Sequence, residues 1–126
     1  MALGTFLYKR LKGCGYAFKG AVTLLKTEAS IQVQAFIAVV MTIAGFYFDI
    51  TNTEWMIQII SIGLIMSLEG MNTAAEAIAD FIHPDFHIKI GHIKDIAAGA
   101  VFITAITAVI IGLIIYVPYI KAVLFS

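Results

Sequence analysis

The stretch WMIQIISIGLIMSLEGMNTAAEAIAD, residues 55–80, begins as an apolar helix and ends with three carboxylates and an asparagine. Its first fourteen residues are too few to cross a bilayer, because a membrane helix needs about 20 apolar residues. A span over 55–82 therefore carries polar residues to membrane depth, where one charge costs about 2.5–3.5 kcal/mol on insertion scales. This cost predicts that at least the first carboxylate has a function or a polar partner.

The composition of the whole chain agrees with a membrane protein. Of its 126 residues, 61% are hydrophobic and only 13% are charged, whereas soluble domains are about 45–50% apolar and about 25% charged. The excess apolar surface must face lipid or other subunits. Two further apolar segments, 31–48 and 96–120, are long enough to cross. The sequence therefore predicts one all-α membrane domain over 1–126 with three transmembrane helices.

The charges outside the spans predict their orientation. The connector 49–54 has two acids and no base. The bases lie before the first span (Lys9, Arg10, Lys12, Lys19 and Lys26) and between the second and third (Lys89 and Lys94). The positive-inside rule therefore predicts a cytoplasmic N-terminus and a cytoplasmic loop over 83–95.

The pattern of residues 3–28 predicts a fourth helix, which is amphipathic and not membrane-spanning. Apolar side chains recur every three or four residues, and most of the lysines lie off this stripe. A basic amphipathic helix beside a membrane usually lies in the interface. Three glycines (Gly13, Gly15 and Gly20) each weaken a helix by up to about 1 kcal/mol relative to alanine, but they let another helix or a ligand approach closely.

The polar residues at the end of the second span share one helix face. Glu69, Asn72, Glu76 and Asp80 fall within an arc of about 80° at about 100° per residue. Glu69 and Glu76 are about 10 Å apart along the axis, so we expect them to act at different points of an elongated ligand. A solvated helix end would account for Asp80 and can extend to Glu76, but it accounts poorly for Glu69.

The loop after this span adds further polar candidates. A histidine zinc site and solvated loop histidines are both compatible with the spacing, and the second is favoured because Pro84 separates the first two histidines. Lys94 and Asp95 serve either as a snorkelling lysine and helix N-cap or as a phosphate contact. Carboxylates and lysines at one membrane surface suggest Mg²⁺ with phosphate. The loop candidates are His83, Asp85, His87, Lys89, His92, Lys94 and Asp95.

Two motifs resemble a known family. EGMNTAAEAIAD (69–80), followed about fourteen residues later by KDIAAGAV, resembles the signature E-x-x-N-T/S-A-x-E-x-x-x-D … K-D-x-A/G-x-A-V of the bacterial integral-membrane diacylglycerol kinase / undecaprenol kinase family. GYAFKG (15–20) and TEAS (27–30) also match its N-terminal part. The resemblance implies a homotrimer of three-span subunits in the bacterial inner membrane, each with an interfacial N-terminal helix. It implies shared active sites at the cytoplasmic surface that phosphorylate a lipid alcohol with MgATP.

The resemblance also implies roles for individual residues. Glu69 takes the place of the general base facing the lipid hydroxyl, and Asn72 supports the site beside it. Glu28 and Glu76 take the place of the Mg²⁺ ligands. Positions implied to contact the nucleotide, its phosphates or the headgroup are Lys9, Lys12, Tyr16, Glu28, Glu76, Asp85, His87, Lys94 and Asp95.

Two residues depart from the family pattern. Many relatives have arginine at the positions of Lys9 and Gln32, and Arg10 is a candidate to replace the first. The second departure affects the lipid-side contacts expected around 30–34. The stretches 54–84 and AAGAVFITAI (97–106) resemble the undecaprenol branch more closely, although either lipid presents a primary alcohol.

Other classes of function are compatible with an acid inside the membrane. A small oligomeric proton or cation pathway would use Glu69 as its relay. A non-catalytic membrane scaffold would tolerate its loss. A pathway needs polar residues through the outer leaflet as well, and residues 56–66 offer only Gln58 and Ser61. We expect ATP and a lipid as partners, and no nucleic acid.

Overall fold

A computed structural model describes residues 2–126, which form four helices. These are α1 (Ala2–Thr27), α2 (Ala29–Tyr47), α3 (Asn52–Ile82) and α4 (Ile88–Leu124). The last three are each long and apolar enough to cross a bilayer. These helices confirm the prediction of an all-α membrane protein with three candidate spans. The trimer and the interfacial position of α1 stay predictions.

Glu28 separates α1 from α2. Its backbone is extended (φ −101°, ψ 112°) and interrupts an otherwise continuous helix. The side-chain Nε2 of Gln32 donates to the carbonyl oxygens of Leu25 and Lys26, each at 3.1 Å. Carbonyls at the end of a helix lack intrahelical partners, so Gln32 satisfies the end of α1 from the first turn of α2.

The turn between α2 and α3 is held by a capping box. The side chain of Thr51 accepts from the backbone N–H of Glu54, and the Glu54 carboxylate accepts from the N–H of Thr51. The hydroxyl of Tyr119 in α4 donates to Glu54 Oε2 at 2.6 Å.

Gly45 of α2 packs against Trp55 of α3. A Cβ atom at Gly45 would lie 2.5 Å from the ring of Trp55, so glycine is what permits this close contact between α2 and α3.

The connection between α3 and α4 is shorter than the sequence indicated. α3 ends at Ile82, and Pro84 prevents its continuation. α4 begins at Ile88, with the Nδ1 atom of His87 accepting from the backbone N–H of Lys89 at 3.0 Å. The predicted loop over 83–95 is therefore too long, and of the two alternatives for Asp95 the helix N-cap is wrong. The apolar run begins at residue 96, whereas the helix starts eight residues earlier.

One uncharged polar network joins the three spans. Gln58 of α3 is only 5% exposed, and its Nε2 donates to the carbonyl oxygen of Met41 in α2 at 3.1 Å. The Tyr116 hydroxyl of α4 donates to Gln58 Oε1 at 2.5 Å and also lies 3.1 Å from the Met41 carbonyl oxygen. Polar groups in hydrocarbon need protein partners. This network therefore fixes how the three helices face one another in the half of the bundle next to the turn between α2 and α3.

Replacement of Tyr116 by phenylalanine should weaken this network. Gln58 Oε1 would lose its donor while buried, and such a loss costs about 1–3 kcal/mol in water-soluble proteins and on average about 0.6 kcal/mol inside membranes. We expect a lower midpoint in unfolding by SDS in mixed micelles. Tyr47→Phe is the matched control, because Tyr47 is exposed. Equal midpoints for the two variants would show that the network does not stabilise the fold.

Candidate active site

The carboxylate of Glu69 is paired with an amide from the neighbouring span. Gln34 Nε2 of α2 donates to Glu69 Oε2 at 3.2 Å, and both side chains are partly buried. The hydrogen bond satisfies one oxygen of a partly buried carboxylate, whose burial would otherwise be costly. Glu69 is therefore turned toward α2 and away from the solvated end of its own helix.

Two acceptor oxygens beside this pair have no partner among the described residues. They are Oε1 of Gln34 and Oδ1 of Asn72, and both atoms are buried. Buried polar atoms are normally hydrogen-bonded, so an unpaired one in a native protein needs an explanation. An oxygen of this kind can accept a hydrogen bond from a ligand hydroxyl or contact a hard cation.

The end of α1 packs close to the same part of α3. A Cβ atom at Gly70 would lie 2.9 Å from Cδ1 of Leu24, so α1 approaches α3 directly beside Glu69. Glu28 lies in the chain between Leu24 and Gln34 and is partly buried. Its side chain makes no capping hydrogen bond to α2. A second carboxylate therefore lies at the corner formed by α1 and α2.

The C-terminal part of the polar face of α3 has a different environment. Glu76 is exposed. The Lys94 ammonium of α4 donates to Asp80 Oδ1 at 2.6 Å, in a salt bridge that solvent reaches. The face predicted from the helical spacing is thus divided: Glu69 and Asn72 point into the protein, whereas Glu76 and Asp80 lie at its surface.

The connection 83–87 brings its polar groups together locally. His83 Nδ1 lies 2.8 Å from the backbone oxygen of Asp85, and the His83 and His87 ring centroids are 5.2 Å apart. The structure gives His87 the N-cap of α4, and it places Asp95 within that helix with its side chain exposed. Within residues 2–126, no three histidine, cysteine, aspartate or glutamate side chains form a group that could hold a metal ion.

The predicted contacts on α1 are not gathered at this site within one chain. The side chains of Lys9, Lys12 and Tyr16 are exposed. The Lys12 ammonium lies 6.0 Å from the centroid of the Tyr8 ring, one turn earlier in the same helix. Among the described residues, no hydrogen bond or ion pair joins these three side chains to the polar face of α3.

Sequence reasoning did not identify the partners of the polar side chains. Gln34 and Gln58 are uncharged amides within apolar segments, and each joins two spans. Their signal was present in the sequence, since an amide in a membrane helix needs a polar partner. The identity of that partner depends on how the helices pack, which the hydrophobic pattern does not specify.

Comparison with known proteins gives consistent matches over most of the chain. The model of a family described as "Prokaryotic diacylglycerol kinase" matches residues 15–116. An undecaprenol kinase of Bacillus subtilis is 38% identical over 112 residues, which cover 89% of this chain and 91% of the relative. A diacylglycerol kinase of Escherichia coli is 31% identical over 111 residues, which cover 87% of this chain and 91% of the relative.

Substitution of Gly70 by valine should separate α1 from α3. The first added carbon already meets Leu24, and the branched side chain adds bulk at the contact. We expect trypsin to cut after Lys26 several-fold faster in micelles. Gly63→Val is the control, because a Cβ atom at Gly63 meets nothing within 4 Å. If both variants are cut at the same rate, Gly70 is not what holds α1 against this site.

Proposed function

Because this chain belongs to the prokaryotic diacylglycerol kinase family, we propose that it transfers the γ-phosphoryl group of MgATP to the primary hydroxyl of a membrane lipid. The family match confirms both the family and the enzyme class, a lipid kinase, that the sequence motifs predicted. It also favours catalysis over the alternatives of an ion pathway or a scaffold.

The hydrogen-bonded carboxylate of Glu69 is the observation that carries the proposed mechanism. A general base must reach the hydroxyl whose proton it takes, and Glu69 lies in an otherwise apolar span beside α2. One carboxylate oxygen accepts from Gln34. We propose that the other accepts the hydroxyl proton while the lipid oxygen forms its bond to the γ-phosphorus. The bond from that phosphorus to the bridging oxygen breaks, and ADP leaves with the electron pair.

The oxygen groups around Glu69 fit a magnesium ion held together with phosphate. Mg²⁺ is usually bound by one or two carboxylates plus phosphate oxygens and water, so a preformed cage of three side chains is not required. We propose Glu28 and Glu76 as the ligands, with the unpaired Oδ1 of Asn72 supporting the site between them and Glu69. When bound, the ion would neutralise negative charge on the ATP phosphates.

The remaining charged candidates surround this region and suit the nucleotide. Lys94 now pairs with Asp80 at the surface, and an exposed pair of this kind is worth only about 0–1 kcal/mol. A phosphate group can therefore compete for the ammonium at little cost. We propose further nucleotide or headgroup contacts from Lys9, Lys12, Tyr16, Asp85, His87 and Asp95.

A homotrimer would allow the N-terminal residues of one subunit to contact the site of another. The side chains of residues 2–21 are exposed in the single chain, as are many apolar side chains of α2, α3 and α4. Contiguous apolar surface of this extent faces lipid or other subunits. We propose that α1 lies in the cytoplasmic interface of the inner membrane and completes the site of an adjacent subunit.

Undecaprenol is the substrate that we favour. The Bacillus subtilis relative named undecaprenol kinase is 38% identical to this chain, and the Escherichia coli relative named diacylglycerol kinase is 31% identical. The two alcohols differ in their hydrocarbon part and share a primary hydroxyl. The proposed chemistry at Glu69 is therefore the same for either lipid.

The activity can be tested directly with purified protein. We expect transfer of radiolabelled phosphate from ATP to undecaprenol in mixed micelles, with slower transfer to diacylglycerol. Chelation of Mg²⁺ by EDTA should abolish transfer, and excess Mg²⁺ should restore it. Failure to label either lipid in the presence of MgATP would contradict the proposed function. Faster labelling of diacylglycerol would contradict the choice of undecaprenol alone.

Two glutamine substitutions separate the proposed roles of the carboxylates. Glu69→Gln should lower kcat by about 10²–10⁴-fold, the usual contribution of a general base, while nucleotide binding persists. Glu76→Gln should instead raise the KM for ATP and the Mg²⁺ concentration needed for half-maximal rate. Equal and mild effects of the two variants on kcat and KM would contradict this division.

A further inference from the structure

A cavity of about 590 Å³ lies between α2, α3 and α4. Gln34 lines one end, and the hydrogen-bonded pair Gln58 and Tyr116 lines the other. The lining of α4 runs from Ala105 to Tyr116, about 16 Å at the usual helical rise of about 1.5 Å per residue. The space exists because residues on α2 and α4 are small, namely Ala38, Ala105, Ala108 and Gly112.

The Gln34 end of the cavity lies next to the candidate active site. The same Gln34 side chain that lines the cavity donates to Glu69 Oε2 at 3.2 Å. Its other terminal atom, Oε1, is a buried acceptor without a partner among the described residues. A hydroxyl group at this end of the cavity would therefore meet oxygen acceptors, whereas the hydrocarbon that follows it would meet mostly apolar side chains as far as Gln58 and Tyr116.

The cavity also has a side that faces outward at membrane depth. Val109 and Leu113 line it, yet they are 62% and 57% exposed in the single chain. An apolar space lined in this way stays dry. A ligand can therefore enter from the hydrocarbon of the bilayer without crossing water.

We propose that this cavity holds the hydrocarbon chain of the lipid substrate, with the alcohol group at the Gln34 end beside Glu69. The inference rests on the proposed function and adds the place where the hydrocarbon chain of the lipid is bound. A helix from a second copy is a poorer occupant. A helix carries side chains around its whole circumference, about 10–12 Å across, and nothing in such a helix would place a hydroxyl group against the oxygen acceptors at the Gln34 end. One extended hydrocarbon chain requires much less width.

Binding in this cavity positions the hydrocarbon chain of the lipid but adds little transfer free energy. Bilayer hydrocarbon is as apolar as the cavity lining, so no hydrophobic driving force separates the two environments. Seating the chain instead limits where the hydroxyl can lie relative to Glu69, and misplacement by about 1 Å can lower a rate by about 10²-fold. The dependence of kcat/KM on chain length therefore reports whether the cavity is used.

Gly112 allows the cavity to be filled without a backbone clash. A Cβ atom at Gly112 meets nothing within 4 Å, and the same is true of Gly63, which does not line the cavity. The experiment compares wild type, Gly112→Leu and Gly63→Leu with prenol, geraniol, farnesol and undecaprenol as acceptors of radiolabelled phosphate. Ala108→Val is a second, milder filling variant, and elution volume together with helical content checks each protein.

In wild type and Gly63→Leu, kcat/KM should rise with each added isoprene unit until the cavity is full and then level off. In Gly112→Leu the rise should stop at a shorter alcohol, with at least about a tenfold deficit for undecaprenol and less than about a twofold deficit for prenol. Ala108→Val should fall between them.

Three results would overturn the inference. One is a wild-type profile that is flat with chain length, and another is Gly112→Leu and Gly63→Leu behaving alike. The third is a change of oligomeric state in Gly112→Leu without a change in its chain-length profile, which would assign the cavity to a second copy. Absence of labelling of every alcohol by the wild type would instead contradict the proposed function.

Discussion

The hydrogen bond between Gln34 and Glu69 is the interaction on which this description depends. A carboxylate in an apolar span is costly unless a polar group meets it, and α2 supplies that group. The bond sets the face that α3 presents to α2 in the half of the bundle where Leu24 also approaches Gly70. In the other half of the bundle, the network of Gln58, Tyr116 and the Met41 carbonyl also fixes how the helices face one another, without a charge.

This arrangement gives the three spans two kinds of surface. The residues between the two polar pairs are mostly aliphatic or small and leave an open apolar space. Beyond Glu69, charged side chains lie at the surface, and they include an ion pair between α3 and α4 that solvent reaches. A lipid alcohol has the same two parts, a long hydrocarbon and one polar end. The order of apolar and polar surface along the bundle therefore suits a lipid held at the membrane surface better than a soluble metabolite.

Much of the fold could be predicted from the sequence, because hydrophobic length and period determine membrane helices. The pairing of polar groups could not. Gln34 was visible as an amide in a span, but the approach of Glu69 depends on the packing of α2 against α3. The start of α4 was predicted too late because the apolar run begins at residue 96, whereas the His87 side chain caps a helix that begins at Ile88. Lys9 and Tyr16 lie on an exposed helix, and the contacts expected of them involve other subunits, which the sequence pattern of one chain does not specify.

The contact between Gln34 and Glu69 can be measured in a bilayer. Solid-state NMR with ¹⁵N in glutamine side chains and ¹³C in glutamate carboxyls detects their dipolar coupling. We predict a coupling between Gln34 Nε2 and the Glu69 carboxyl carbon, as the hydrogen bond of 3.2 Å between Nε2 and Oε2 requires, and we predict that it disappears in Gln34→Met. A spectrum without this coupling, or one unchanged by the substitution, would contradict the central claim that α2 holds the carboxylate in place.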